Sequence, residues 1–126
     1  MLTLRIDDVY DILVVECEGQ LDGGEADSEL RNSVISHERV RAVVLDLSSV
    51  YAIGDEGLAL LAFLQQWASE RDIRFTMFNP RVSVRYKLEA ASSKSAFEIA
   101  TLDEVMALTA PPASNIPYFE QAARIN

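Results

Sequence analysis

Cysteine is almost absent from this chain: Cys17 stands alone among 126 residues. An internal disulfide, a CxxC pair and a cysteine-based zinc site are therefore excluded. Histidine is equally scarce, with His37 the single example, and glycine and proline number only five and four. Basic residues are also short: 11 Lys and Arg face 20 Asp and Glu, for a formal charge of −9. Non-specific nucleic-acid binding needs cations to displace condensed counterions, so that class of partner is disfavoured. An anionic membrane surface is disfavoured for the same reason. No run approaches the roughly 18 apolar residues of a membrane span. The first ten positions alternate charged and apolar residues, unlike a secretory leader. The expectation is a cytoplasmic protein with no direct membrane insertion.

What is present suits one folded domain. Hydrophobic residues make up 49% and charged residues 25%, the balance of an ordinary globular chain. A chain of this length buries roughly two-thirds of its unfolded surface, enough for a core without metals or disulfides. The charge is uneven: residues 1–50 hold four basic and eleven acidic side chains, and residues 51–126 hold seven and nine. The N-terminal half carries most of the negative field, which serves solubility or steers toward a basic partner surface.

Apolar periodicity divides the chain into elements. Leu2, Leu4 and Ile6 alternate with Thr3, Arg5 and Asp7, the period of a half-buried strand. The polar stretch from Asp7 to Asp11 turns the chain, and Ile12–Glu18 forms a second strand that Gly19 ends. This predicts an antiparallel hairpin. A helix follows over about 25–37, with Glu25, Asp27 and Glu29 near its positive end and Ala26, Leu30 and Val34 as its buried stripe. Ala42–Leu47 is a continuously apolar strand, covered on both faces as in a parallel sheet. A loop over 50–58 leads into a strong helix over 57–68. Arg74–Asn79 is the next strand, and Pro80 is placed in the first turn of a helix over 81–91. That helix carries Val82, Tyr86 and Ala90 at i+4 spacing. Phe97–Ala100 is a last strand, and Thr101 with Glu104 forms a capping box for a helix reaching Leu108. The order ββαβαβαβα predicts an α/β fold, a mixed sheet with helices packed against it. The domain spans 1–109. Residues 110–126 hold a Pro-rich linker and a short aromatic tail that needs a surface to dock on.

Functional signal concentrates in one loop. Gly54-Asp55-Glu56-Gly57-Leu58 lies between a buried strand and a very apolar helix, where an open α/β sheet engages ligands and partners. Free N–H groups of the helix start point at it. From Leu58 to Leu64 every residue is apolar, so one face packs on the sheet. Either Leu60, Phe63, Leu64 and Trp67 or Leu58, Leu61 and Gln65 then look outward, and an outward apolar face marks an interface.

The ordered motifs Gly19-Gln20-Leu21-Asp22, Val43-Val44-Leu45-Asp46-Leu47-Ser48, Ile53-Gly54-Asp55-Glu56-Gly57-Leu58 and Asn79-Pro80-Arg81-Val82 resemble a STAS domain, of the sulfate-transporter and anti-sigma-factor-antagonist family. The resemblance covers about residues 1–109. It implies a non-catalytic regulatory protein-binding module in a partner-switching pathway. The implied partner is an anti-sigma factor or histidine-kinase-like Ser/Thr kinase that phosphorylates a Ser or Thr at this helix start. The family loop reads Asp-Ser-Ser/Thr-Gly-Leu. Here Gly54 replaces the leading Asp, and Asp55 and Glu56 replace both hydroxyl positions, so neither accepts a phosphoryl group. A phosphoserine carries about −1.5 to −2 charges against about −1 for Asp or Glu. Asp55 and Glu56 therefore either hold the loop in a partly phosphate-like state or simply cap the helix, with Asp55 as N-cap and Glu56 in the first turn. The resemblance further implies a partner-binding face on the following helix, expected at Leu61, Ala62 and Gln65. A different class also follows from it: a structural or regulatory subunit of a membrane transporter complex. A homodimer through the apolar helix or the tail stays open.

The remaining candidates carry less. Asp22 and Asp46 suit loop ordering through hydrogen bonds to backbone N–H groups. Cys17, between Glu16 and Glu18, points inward as an inert thiol. His37 sits where a helix end offers free carbonyls. Arg81, Arg85, Lys87 and Lys94 form the most basic region, which either attracts phosphate groups or is a solvated helix face. Ser48 and Ser49 are alternative hydroxyls for modification. There is no glycine-rich phosphate loop, no Ser-His-Asp set and no metal-ligand spacing, so neither cofactor, metal nor enzyme activity is expected.

Overall fold

A computed structural model describes residues 2–91 and 97–111. Within them the order is β1 (Leu2–Val9), β2 (Ile12–Leu21), α1 (Glu25–Ile35), β3 (Ala42–Ile53), α2 (Asp55–Ser69), β4 (Arg74–Phe78), α3 (Val82–Ala91), β5 (Ile99–Ala100) and α4 (Leu102–Leu108). The five strands lie in sequence order in one sheet. Only β1 runs antiparallel to its neighbour; β2 through β5 pair in parallel. The expected mixed sheet and element order are both present.

The hairpin turns more tightly than the polar stretch suggested. β1 continues through Asp7 and Asp8, and only Tyr10 and Asp11 turn, both with positive φ (51° and 66°). That two-residue geometry matches the right-handed strand twist. β2 also outlasts its expected end, because Gly19 still pairs with Leu2 on one side and Val50 on the other.

β3 shows the largest departure from sequence expectation. It runs twelve residues, to Ile53, where a loop was expected after Leu47. Glu16 pairs with Asp46 but Glu18 with Ser49, and Gly19 pairs with Val50 but Gln20 with Ala52. Two bulges thus absorb the residues that break the apolar pattern, and pairing resumes after each. The Asp46 carboxylate holds the first bulge, accepting the Ser48 backbone N–H at 2.9 Å and its hydroxyl at 2.6 Å. These bonds lie within a strand, where a loop was expected.

Parity places the core. Leu13, Val15 and Cys17 of β2, Val43, Leu45 and Leu47 of β3, and Phe75 and Met77 of β4 face one large cluster. Leu30 and Val34 of α1, Leu61, Leu64 and Trp67 of α2, and Val84 and Leu88 of α3 complete it. Ile12, Ala42 and Val44 face the other way, against Val105 and Leu108 of α4. Three crossover helices therefore cover one face, as consistently right-handed connections require, and α4 covers part of the other. Burial pushes the Cys17 thiol up to about 12, with the Asp46 and Asp27 charges adding to it, so the thiol is inert as expected.

The start of α3 and its buried face differ from expectation. Pro80 is buried but precedes the helix, and Asn79 before it takes φ of 54°. Val82 and Tyr86 are 85% and 73% exposed, and Ala90 is exposed; Val84 and Leu88 are the buried pair. Val84 and Leu88 pack in the core, and bonds to β3 accompany that orientation: Arg81 donates to the Ser48 carbonyl at 3.1 Å and Lys87 to the Ile53 carbonyl at 2.9 Å. Two residues of the basic region are thus bonded to backbone, and Lys94 lies outside the described residues.

Other local expectations are met. Thr101 and Glu104 form the reciprocal capping box of α4. His37 donates from Nδ1 to the Ser33 carbonyl at 2.6 Å, at the end of α1. Arg74 reaches from β4 to Glu98 and Glu104, tying β5 and α4 to the sheet. No helix among the described residues is long and apolar enough to cross a membrane. The aromatic tail lies outside the described residues beyond Pro111.

Candidate functional site

β2 and β3 are adjacent and parallel, and they end together at Leu21 and Ile53. Each is followed at once by a helix, so the N-termini of α1 and α2 emerge side by side at one edge of the sheet. The two connections are joined by backbone. Gly54 N–H donates to the Leu21 carbonyl at 3.0 Å. A Cβ on Gly57 would lie 2.0 Å from that same oxygen; only glycine lets α2 start so close to β2. A Cβ on Gly23 would lie 1.8 Å from Glu56 Oε1, and Gly23 has φ of 104°. The Glu56 carboxylate therefore rests over the α1 entry turn.

The loop expected over 50–58 contracts to Gly54 alone. Gly54 is the N-cap of α2, in extended conformation and with no side-chain cap bond. Asp55 is consequently not the N-cap; it and Glu56 occupy the first turn. Both carboxylates are exposed and complement the positive end of the helix dipole.

The outward face of α2 also differs from both sequence alternatives. Leu61 and Leu64 are fully buried in the core. Leu61 therefore cannot contact a partner, and Ala62 and Gln65 are half-buried flanking positions. Leu58 and Leu60, both half-buried, pack against the core as well. Beyond the first turn, the exposed residues of α2 are Ala59, Phe63, Gln66 and Ser69. Phe63 is 48% exposed. Leu60 and Phe63 were legible as an apolar pair at i, i+3, but a helix apolar on all sides does not reveal which pair faces out.

Asp27 lies in the first turn of α1, as the sequence predicts, but it is 7% exposed, and that burial was not foreseen. Its spacing with Leu30 and Val34 (i, i+3, i+7) was the available signal. Asp27 Oδ2 accepts the Gly23 N–H at 2.7 Å, so Asp27, not the exposed Asp22, ties down this turn. Burial raises the Asp27 pKa; the Gly23 bond opposes the shift, and the Asp22 and Glu56 charges add to it. Asp27, Arg31, Glu56, Leu60 and Phe63 line an open groove of about 460 Å³ between α1 and α2.

The sequence pattern of the STAS domain matches residues 3–106. The chain belongs to the STAS-domain family. Its STAS fold is close to SpoIIAA, described as an anti-sigma factor antagonist in its unphosphorylated form. That likeness has a TM-score of 0.70 at 16% identity, over 82% of this chain and 93% of that one. An anti-sigma factor antagonist from Mycobacterium paratuberculosis gives a TM-score of 0.69 at 20% identity, over 86% and 94%. The murine anion transporter Slc26a9, in its inward-facing state, gives 0.65 at 16% identity, over 83% of this STAS chain and 19% of the transporter. No curated protein sequence matches the chain.

Proposed function

We propose that this STAS domain is a non-catalytic docking module. It engages an anti-sigma factor or histidine-kinase-like kinase through Gly54–Leu58 and the exposed edge of α2. The observation that carries this reading is the placement of two exposed carboxylates, Asp55 and Glu56, at the head of a helix that also exposes Phe63. An apolar anchor beside fixed charge is a common interface composition. Because carboxylates occupy the family's hydroxyl positions, the charge at this loop is permanent, and a kinase has nothing there to modify. The module then acts through the abundance of its partner and not through its own phosphorylation.

Mixing the purified domain with a candidate kinase-like ATPase tests this. Wild type should bind and, with labelled ATP, stay unlabelled at the loop. The Asp55→Ser/Glu56→Ser double variant should change affinity by about tenfold or more. It should also gain label, the serine hydroxyl oxygen taking the γ-phosphoryl group and ADP leaving. Unchanged affinity in the double variant, or turnover of a substrate by the wild type, overturns the reading.

A second reading rests on the fold likeness to the Slc26a9 transporter, in which the matching part is 19% of the chain. There the domain is a fixed subunit of a transporter complex. Persistent copurification with a membrane permease, undisturbed by the double variant, selects it over docking to a kinase.

A further inference from the structure

Among the described residues, the two edges of the sheet are finished differently. β5 ends one edge with only two residues. β1, at the other, has eight residues in an unbroken register with β2, and no proline. Proteins usually blunt an edge with a short strand, a bulge, a proline, charge or a covering element. Residues Arg5 to Asp8 are all exposed, Ile6 at 39%, so of these devices β1 has only charge. The hydrogen-bond phase follows from the turn. Val9 and Ile12 close a two-residue turn, so they form a hydrogen-bonded pair, and such pairs alternate along the hairpin. The N–H and C=O groups of Leu2, Leu4, Ile6 and Asp8 therefore point away from β2 into the open edge.

A second copy related by a two-fold axis would meet that edge antiparallel, with even-numbered residues opposite even-numbered ones. Charge then selects the register. An axis at Arg5 or at Asp7 sets that residue against its own copy, and like charges directly opposite destabilise a strand pair. An axis at Leu4 overlaps only residues 2–6 and leaves Asp7 outside the pairing. An axis at Ile6 overlaps residues 3–9 and sets Arg5 against the partner's Asp7 twice. Those pairs fall at the non-hydrogen-bonded positions, where side chains lie closest. In the single chain Arg5 has only long, exposed pairs, with Asp7 at 3.8 Å and Glu16 at 3.7 Å. We propose that β1 is a homodimer interface, a second copy adding its own β1 antiparallel about an axis at Ile6 and joining the two five-stranded sheets. The interface uses no residue of Gly54–Leu58 or α2. The dimer thus carries two docking surfaces, which raises avidity for a multivalent partner, and its failure leaves the docking reading intact.

Sedimentation equilibrium of the full chain over about 5–500 μM, the range in which a weak dimer dissociates, tests this. Wild type should move from the monomer mass toward twice that mass. Ile6→Pro removes an N–H that faces the open edge and no bond to β2, so it should abolish the dimer with the circular dichroism spectrum kept. Arg5→Asp and Asp7→Arg each place like charges across the axis twice, and each should weaken self-association at least about tenfold. Mixed together, these two variants should form a heterodimer about as strong as the wild-type dimer, because opposite charges then meet at both positions. That recovery separates a lost interface from a lost fold. A wild-type monomer at every concentration, a dimer undiminished by Ile6→Pro, or charge variants that do not recover on mixing overturn the proposal.

Discussion

Glycine at position 57 is fixed by a carbonyl. A methyl group there would lie 2.0 Å from the Leu21 oxygen and 2.8 Å from its carbon, and backbone cannot swing away as a side chain can. Gly57→Ala should therefore cost about 1–3 kcal/mol, the range for overpacking a tight site, measured as a lower urea midpoint. Asp27 is the second residue whose environment decides its behaviour. Its carboxyl titrates above its ordinary 3.8, chiefly through burial. Below the unfolded value both states hold the proton and nothing is lost. As pH rises from there, the folded state keeps a proton that the unfolded chain releases, so stability falls until the raised folded pKa is passed. Asp27→Asn does not titrate. Its stability relative to wild type should rise across that window and then level off, a trend that urea melts between pH 3 and pH 7 would resolve.

Helices α2 and α3 show what periodicity can and cannot decide. α2 is apolar on every side from Leu58 to Leu64, so propensity and hydrophobicity foretold a helix without orienting it. The close approach of Gly57 to β2 does orient it, which sends Leu61 and Leu64 inward and Phe63 outward. Leu64→Ala should cost about 2–5 kcal/mol and Phe63→Ala under about 1 kcal/mol in matched denaturation curves. In α3 two apolar pairs with the same i, i+4 spacing compete, Val82 with Tyr86 and Val84 with Leu88. They lie nearly opposite on the helix. The second pair is the one buried in the core, with bonds from Arg81 and Lys87 to carbonyls of β3 on the same side. Neither bond leaves a trace in local sequence, because each joins residues more than thirty positions apart.

At the scale of the whole molecule, a net charge of −9 surrounds a site that itself carries Asp22, Asp27, Asp55 and Glu56. A long-range field of this kind governs encounter more than final affinity. Association with a basic partner surface should slow about tenfold between roughly 50 and 300 mM salt, with dissociation little changed; stopped-flow mixing separates the two rates. The element order, the single antiparallel hairpin and the parallel pairing of the rest follow from alternation and connection length, both local properties. The motifs in their order carried the family likeness for the same reason. The acidic composition and the unusual Asp55-Glu56 pair were likewise plain before any fold was known. Only the tertiary structure decided that β3 runs on through two bulges, that Asp27 is buried beneath the loop and that Phe63 is the large apolar side chain of α2 left exposed. Those outcomes depend on strand pairing across the sheet and on the contact of α2 with the end of β2. Interactions between segments distant in the chain leave no periodic mark along it.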